Sequence, residues 1–163
     1  MTLREHLIGA WELTYYAERF GPDGPITYPH GENPTGLIMY TADGYMSAQI
    51  MTPDRPAYDK PTAAGGTEDQ RATAAAGYLA YSGSYSVDEL TGVIHHHVLV
   101  SLMPNWIGGT QLRHSRLAEH RLTLTAQSAA PGQIDVSPID IALDKDRTRI
   151  SPRCTRIRFT APP

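Results

Sequence analysis

The sequence is poor in the features that most often announce a function. It has one cysteine, Cys154, so no intrachain disulfide framework can form. It has two phenylalanines, and only 19% of its 163 residues are charged. The net charge is −3, so there is no strong positive field of the kind that carries nucleic-acid binding. No window of about 18 apolar residues occurs, which excludes a membrane-spanning helix. The opening MTLREHLIGAWEL lacks the apolar stretch of a secretory signal. The motifs GxSxG, GxGxxG, HExxH, CxxC and the phosphate-binding P-loop are all missing, so nucleotide and flavin chemistry is not indicated. These absences predict a soluble, cytoplasmic protein with no cofactor, no nucleic-acid partner and no membrane partner.

What is present is turn-rich. Fourteen glycines and thirteen prolines argue against a bundle of long helices, and 40% hydrophobic residues argue against disorder. The length suits one domain over 1–163. Leu3 to Ile8 reads as one or two helical turns. Trp11, Leu13 and Tyr15 then alternate with Glu12 and Thr14, as on a strand with one buried face. Gly21 to Gly36 is a long Gly/Pro loop. Leu37–Thr41 and Tyr45–Met51 form a hairpin through Ala42-Asp43-Gly44. Thr67-Glu68-Asp69-Gln70 has the form of a capping box, and a helix is expected over Arg71 to Ser82, ended by Gly83. Strands follow at Ser84–Val87 and Val93–Ser101, and a hairpin pairs Thr110–Leu117 with Arg121–Gln127. Ile139, Ile141 and Leu143 alternate as a further strand, and Arg153–Thr160 is expected to close the sheet. About eight antiparallel strands with one apolar face roll into a barrel, because closure removes both edges. The helix is expected across a barrel end.

Several groups in this pattern can carry chemistry. In His95-His96-His97, parity sends His96 to one face and its neighbours to the other. Two imidazoles two residues apart can share a metal, with His114 or His30 as further ligands. The carboxylate that usually follows such a pair is missing, for Val98, Leu99 and Val100 come next, and no metal is assigned. The face of Ile94, His96, Val98 and Val100 is the more apolar, which turns His96 inward. Gln111 and Arg113 share a face of the next strand. If that face is internal, the guanidinium needs Glu12, Asp43 or an anionic ligand; otherwise it is solvated outside. The PNWIGG connection follows the long strand, and its Trp106 closes the barrel end as core or forms a cavity wall. Nine tyrosines favour a cavity with polar tips over a dry interior.

The stretches GAWEL, YPHGENPTGLIMYTADGYMSAQIM, GYLAYSGSYSVDELTG and HHHVLVSLMPNWIGGTQLR, taken in order, resemble the bacterial and fungal lipocalin-like domain family. The likeness runs from Gly9 to about Leu124; the part after Ser128 departs from the family pattern. It implies an all-β fold with one helix: an eight-stranded antiparallel barrel with a central, ligand-sized cavity. Trp11, Tyr40, Met46, Tyr81, Tyr85 and Trp106 are then expected as walls, and His96 or His97, Gln111 and Arg113 as polar anchors. The leading expectation is binding of a small, largely apolar molecule with an oxygen-bearing group. One alternative is a cofactor-independent isomerase or cyclase of natural-product biosynthesis. In it His96 or His97 moves a proton while Arg113 and Gln111 stabilise an oxyanion. Another is a packed interaction module without a cavity. Whether the chain forms a homodimer is left open.

Overall fold

A computed structural model describes residues 1–19, 24–128 and 137–144. Its strands are β1 (Gly9–Arg19), β2 (Ile26–Thr27), β3 (Thr35–Tyr40), β4 (Tyr45–Met51), β5 (Tyr78–Asp88), β6 (Val93–Ser101), β7 (Thr110–Ala118), β8 (Arg121–Ser128) and β9 (Ser137–Asp144). Two helices, α1 (Leu3–Leu7) and α2 (Glu68–Ala76), and a 3-10 turn at Pro104–Trp106 complete the described elements. Each of β3 to β8 pairs antiparallel with the next strand along the chain. The pair β8–β9 continues this order, and β9 returns to β1, with Glu12 opposite Asp144 and Glu18 opposite Ile139. Eight strands therefore close on themselves, and β2 hangs on β1 as a short addition. The expected closing strand at 153–160 lies outside the described residues; β9 makes the closure.

Two bulges decide which side chains enter the barrel. In β1 the register to β9 shifts between Leu13 and Tyr15. Trp11 and Leu13 face inward, but beyond the shift the buried residue is Tyr16, not Tyr15. In β6 the partners of Ser82 and Gly83 are Val100 and Val98, which leaves Leu99 as the extra residue. Ile94, His96 and Val98 are buried, whereas Val100 is exposed, so the expected inward face ends at the bulge. Gly83 permits this geometry: a Cβ there would collide with the His97 carbonyl. At the β3–β4 turn, Gly44 has a φ of +95°, a conformation glycine adopts without strain.

The expected helix over 71–82 is shorter than its composition suggests. The capping box forms as read, with the Thr67 hydroxyl accepting from the Gln70 amide at 3.3 Å and the Gln70 side chain accepting from the Thr67 amide at 3.0 Å. The helix stops at Ala76, with Gly77 as its C-cap. Tyr78 begins β5, in which Tyr81, Gly83 and Tyr85 are buried with the period of a strand. Pairing with both β4 and β6 outweighs the helix propensity of the alanines.

The two ends of the barrel differ. One end is covered by α1, a single turn held by its own capping box on Thr2 and Glu5. The Leu3 and Arg4 amides donate to the Glu89 carboxylate at the β5–β6 turn (2.8 and 3.0 Å), and the Arg4 guanidinium lies 4.8 Å from the Tyr85 ring centroid. Leu7 is fully buried, and its carbonyl accepts from Trp11 Nε1 at 2.7 Å. The helix expected across an end, α2, has no buried residue; α1 takes that position.

Candidate functional site

The opposite half of the barrel is hollow. An apolar cleft with a free volume of about 30 Å³ is lined by Leu13, Tyr16, Ile38, Ile50, Tyr81 and Arg113 among others. Leu37, Leu79 and Trp106 also line it. It is narrow, with little of it clearing a water-sized sphere.

At the seam between the hollow and packed halves, β3, β5, β6 and β7 each contribute one polar side chain. His96 is fully buried. Its Nε2 lies 2.9 Å from the Tyr40 hydroxyl and its Nδ1 lies 2.8 Å from the Tyr81 hydroxyl. Arg113, 6% exposed, donates from Nη1 to the Leu112 carbonyl (2.9 Å) and from Nη2 to the Tyr81 hydroxyl (3.4 Å). Its Nε is buried without a partner. Neither Glu12 nor Asp43, the carboxylates expected for it, approaches; both are exposed.

The electrostatics follow from burial beside a cation. Loss of hydration pushes the His96 imidazolium pKa well down, and the Arg113 guanidinium pushes it further, so the ring is neutral. Burial raises the Tyr40 and Tyr81 hydroxyls, an effect Arg113 partly offsets. On β1, Tyr16 donates to Glu18 at 3.1 Å and is raised by burial and by that carboxylate. Tyr16 also meets the edge of His30, a 7% exposed ring whose Nδ1 has no partner and whose pKa is lowered by burial.

Of the side chains expected from sequence, Tyr81, Trp106 and Arg113 line the cleft, and His96 sits directly behind Tyr81. Trp106 lies edge-on to Tyr81 at 5.4 Å. Trp11, Tyr40, Met46 and Tyr85 are buried in the packed half instead, where Tyr85 donates to the Thr41 carbonyl and stacks edge-on to Tyr40. Gln111 is half-buried opposite His96 and does not line the cleft. His97 is exposed on the outer face, within hydrogen-bond distance of the Ser86 and Thr110 hydroxyls and stacked on His95. Tyr16 was hidden from sequence reasoning by the bulge after Leu13. Ile38, Ala48, Ile50 and Leu124 were legible only as alternating strand residues. Among the described residues, no three His, Cys, Asp or Glu side chains are grouped to hold a metal.

A closed antiparallel barrel with one covered end and an internal cleft at the other defines a cavity-bearing β-barrel of the lipocalin kind. The profile of the lipocalin-like domain family matches residues 8–140, and the chain belongs to that family. It is similar to the 4'-hydroxy-3'-methoxypropiophenone carrier protein ppsC of Aspergillus oryzae (strain ATCC 42149 / RIB 40), with 39% identity over 74 residues. That similarity covers 42% of this chain and 67% of the carrier. No helix among the described residues is long and apolar enough to cross a membrane.

Proposed function

We propose that this protein binds a small, largely apolar molecule bearing an oxygen group, in the cleft between Trp106 and Arg113, and acts as a carrier. The observation that carries this reading is a polar cluster at the inner end of an apolar cleft, with Arg113 Nε unpartnered. Apolar walls supply affinity, and one convergent polar end supplies orientation. The fungal relative, a carrier of an aryl ketone by its name, supports the same class of ligand. Rotamer changes at Leu79 and Trp106 widen the narrow cleft as the ring enters. We read the chain as one barrel domain working in the cytoplasm, in keeping with its single cysteine.

The test is a titration with para-methoxypropiophenone, a neutral aryl ketone. The expected result is saturable quenching of tryptophan fluorescence, with a rise in melting temperature that grows with ligand concentration. Replacing Ala48 with Phe, which fills the cleft, abolishes both responses. Absence of any saturable response to a panel of aryl ketones overturns the reading.

An isomerase or cyclase acting in the same cleft is the second reading. The chain Tyr40–His96–Tyr81 favours it, since linked hydroxyls and an imidazole can relay a proton. Weighing against it, both ring nitrogens of His96 are already engaged, so no lone pair is free for a substrate unless a tyrosine moves. Unchanged turnover of an identified substrate in the His96→Ala variant removes this reading.

A further inference from the structure

We infer that the ligand is held as an oxyanion: an acidic phenol, enol or carboxylic acid whose deprotonated oxygen sits against Arg113 Nε. The inference rests on the binding reading above and names the chemical class of its ligand.

Arg113 is a buried charge with no anion among the described residues bonded to it. A guanidinium 6% exposed is costly unless an anion or a full set of acceptors surrounds it. Arg113 has two acceptors, and both are neutral: the carbonyl of its own neighbour Leu112 and the Tyr81 hydroxyl. No carboxylate among the residues whose side chains are described is bonded to it. Among the residues whose side chains are described, the titratable groups facing it are Tyr16 on β1, Tyr40 on β3, Tyr81 on β5 and His96 on β6. All four are neutral at neutral pH, so none balances the charge. Glu18 is engaged by the Tyr16 hydroxyl. Of the three guanidinium nitrogens, Nε has no partner, and the side chain lines the cleft.

The second donor comes from the hydrogen-bond chain. Tyr81 Oη accepts from Arg113 Nη2 and lies against His96 Nδ1. When the imidazole proton is on Nδ1, the ring donates to Tyr81 and accepts from Tyr40 at Nε2. The Tyr81 proton is then free to donate into the cleft beside Nε. An incoming oxyanion favours that tautomer, because it offers the Tyr81 hydroxyl a stronger acceptor than an imidazole nitrogen. The anion thus meets one charged and one neutral donor in an apolar enclosure, while the proton it sheds goes to the buffer.

Two probes of nearly equal shape test this: para-hydroxypropiophenone, an acidic phenol, and para-methoxypropiophenone, which cannot ionise. The phenolate absorbs at longer wavelength than the phenol. At a pH one unit below the free phenol's own pKa, the bound phenol is expected to show the phenolate band and to bind at least about tenfold more tightly than the ether. Arg113→Met is expected to lose the band and the preference for phenol over ether. Arg113→Lys, which keeps the charge, retains part of the band. A bound phenol that keeps its neutral spectrum, or a phenol and ether of equal affinity, overturns the inference and leaves the binding reading standing. If neither probe binds, both fall. The wild-type spectrum alone decides the matter if the methionine variant does not fold.

Discussion

The two halves of this barrel use the same kinds of residue for opposite ends. In the half under α1, Trp11, Tyr40 and Tyr85 pack together, and each places its polar tip on a partner: the Leu7 carbonyl, His96 and the Thr41 carbonyl. In the other half, Tyr81 and Trp106 lie edge to face at the side of a narrow cleft, and Arg113 Nε has no acceptor. Amphipathic aromatics therefore do not mark a cavity by themselves. What separates the halves is whether a helix seals the barrel end and whether every donor has found an acceptor inside the protein.

Four changes break or sharpen this contrast. The largest effect is expected in the packed half. Trp11→Ala removes a buried indole and the bond to the α1 carbonyl, and a loss of about 3–5 kcal/mol is expected in chemical denaturation. Ile50→Val on the cleft wall, by comparison, costs about 0.5–1.5 kcal/mol. A loss from Trp11→Ala no greater than that from Ile50→Val would erase the distinction. Next comes the seam. His96→Ala leaves two buried hydroxyls without their nitrogen partner, at about 1–3 kcal/mol each, and His96→Gln recovers part of the loss.

Third is the pH dependence of stability. His96 has a folded pKa well below its unfolded value, so its contribution is complete above the unfolded pKa of about 6.5 and is lost as pH falls below it. Stability measured by urea unfolding should decline on acidification from pH 6.5, by up to about 1.4 kcal/mol per pH unit for this one group. His30, whose pKa is also lowered, acts in the same direction. A flat profile between pH 7 and 5 would contradict a buried neutral His96. The smallest effect separates the helices: Thr2→Ala should cost about 1 kcal/mol of global stability because α1 seals the barrel. Thr67→Ala should fray α2 and leave the global midpoint nearly unchanged, since no α2 residue is buried.

Much of the fold was legible because strands and turns write their signals locally. Alternation at Trp11 and Leu13, the Asp43-Gly44 turn and the capping box at Thr67 all depend on neighbours a few residues away. The inward orientation of His96 followed from parity on a strand without a shift before it. The site was less legible, for reasons that are also physical. Each bulge inserts a residue and reverses parity, which put Tyr16 rather than Tyr15 on the cleft and turned Val100 outward. Helix propensity extended α2 through Tyr78 to Ser82, where long-range pairing makes a strand. Whether a given aromatic lies in the sealed or the hollow half depends on its height in the barrel, which no local pattern encodes. Tyr81 and Tyr85 illustrate this: both are buried on β5, yet one lines the cleft and the other is packed in the sealed half.

The seam where β1 meets β9 also governs how the chain must reach this structure. Glu12 lies opposite Asp144, so the pairing joins segments more than a hundred residues apart. Contacts of such separation are among the last to repay their loop-closure entropy, which places refolding in the millisecond-to-second range of non-local β proteins. A nascent or truncated chain that ends before Ser137 has β1 and β8 as bare edges, each a template for joining another copy. Pairing of β9 with β1 is what turns an adhesive open sheet into a self-contained tube.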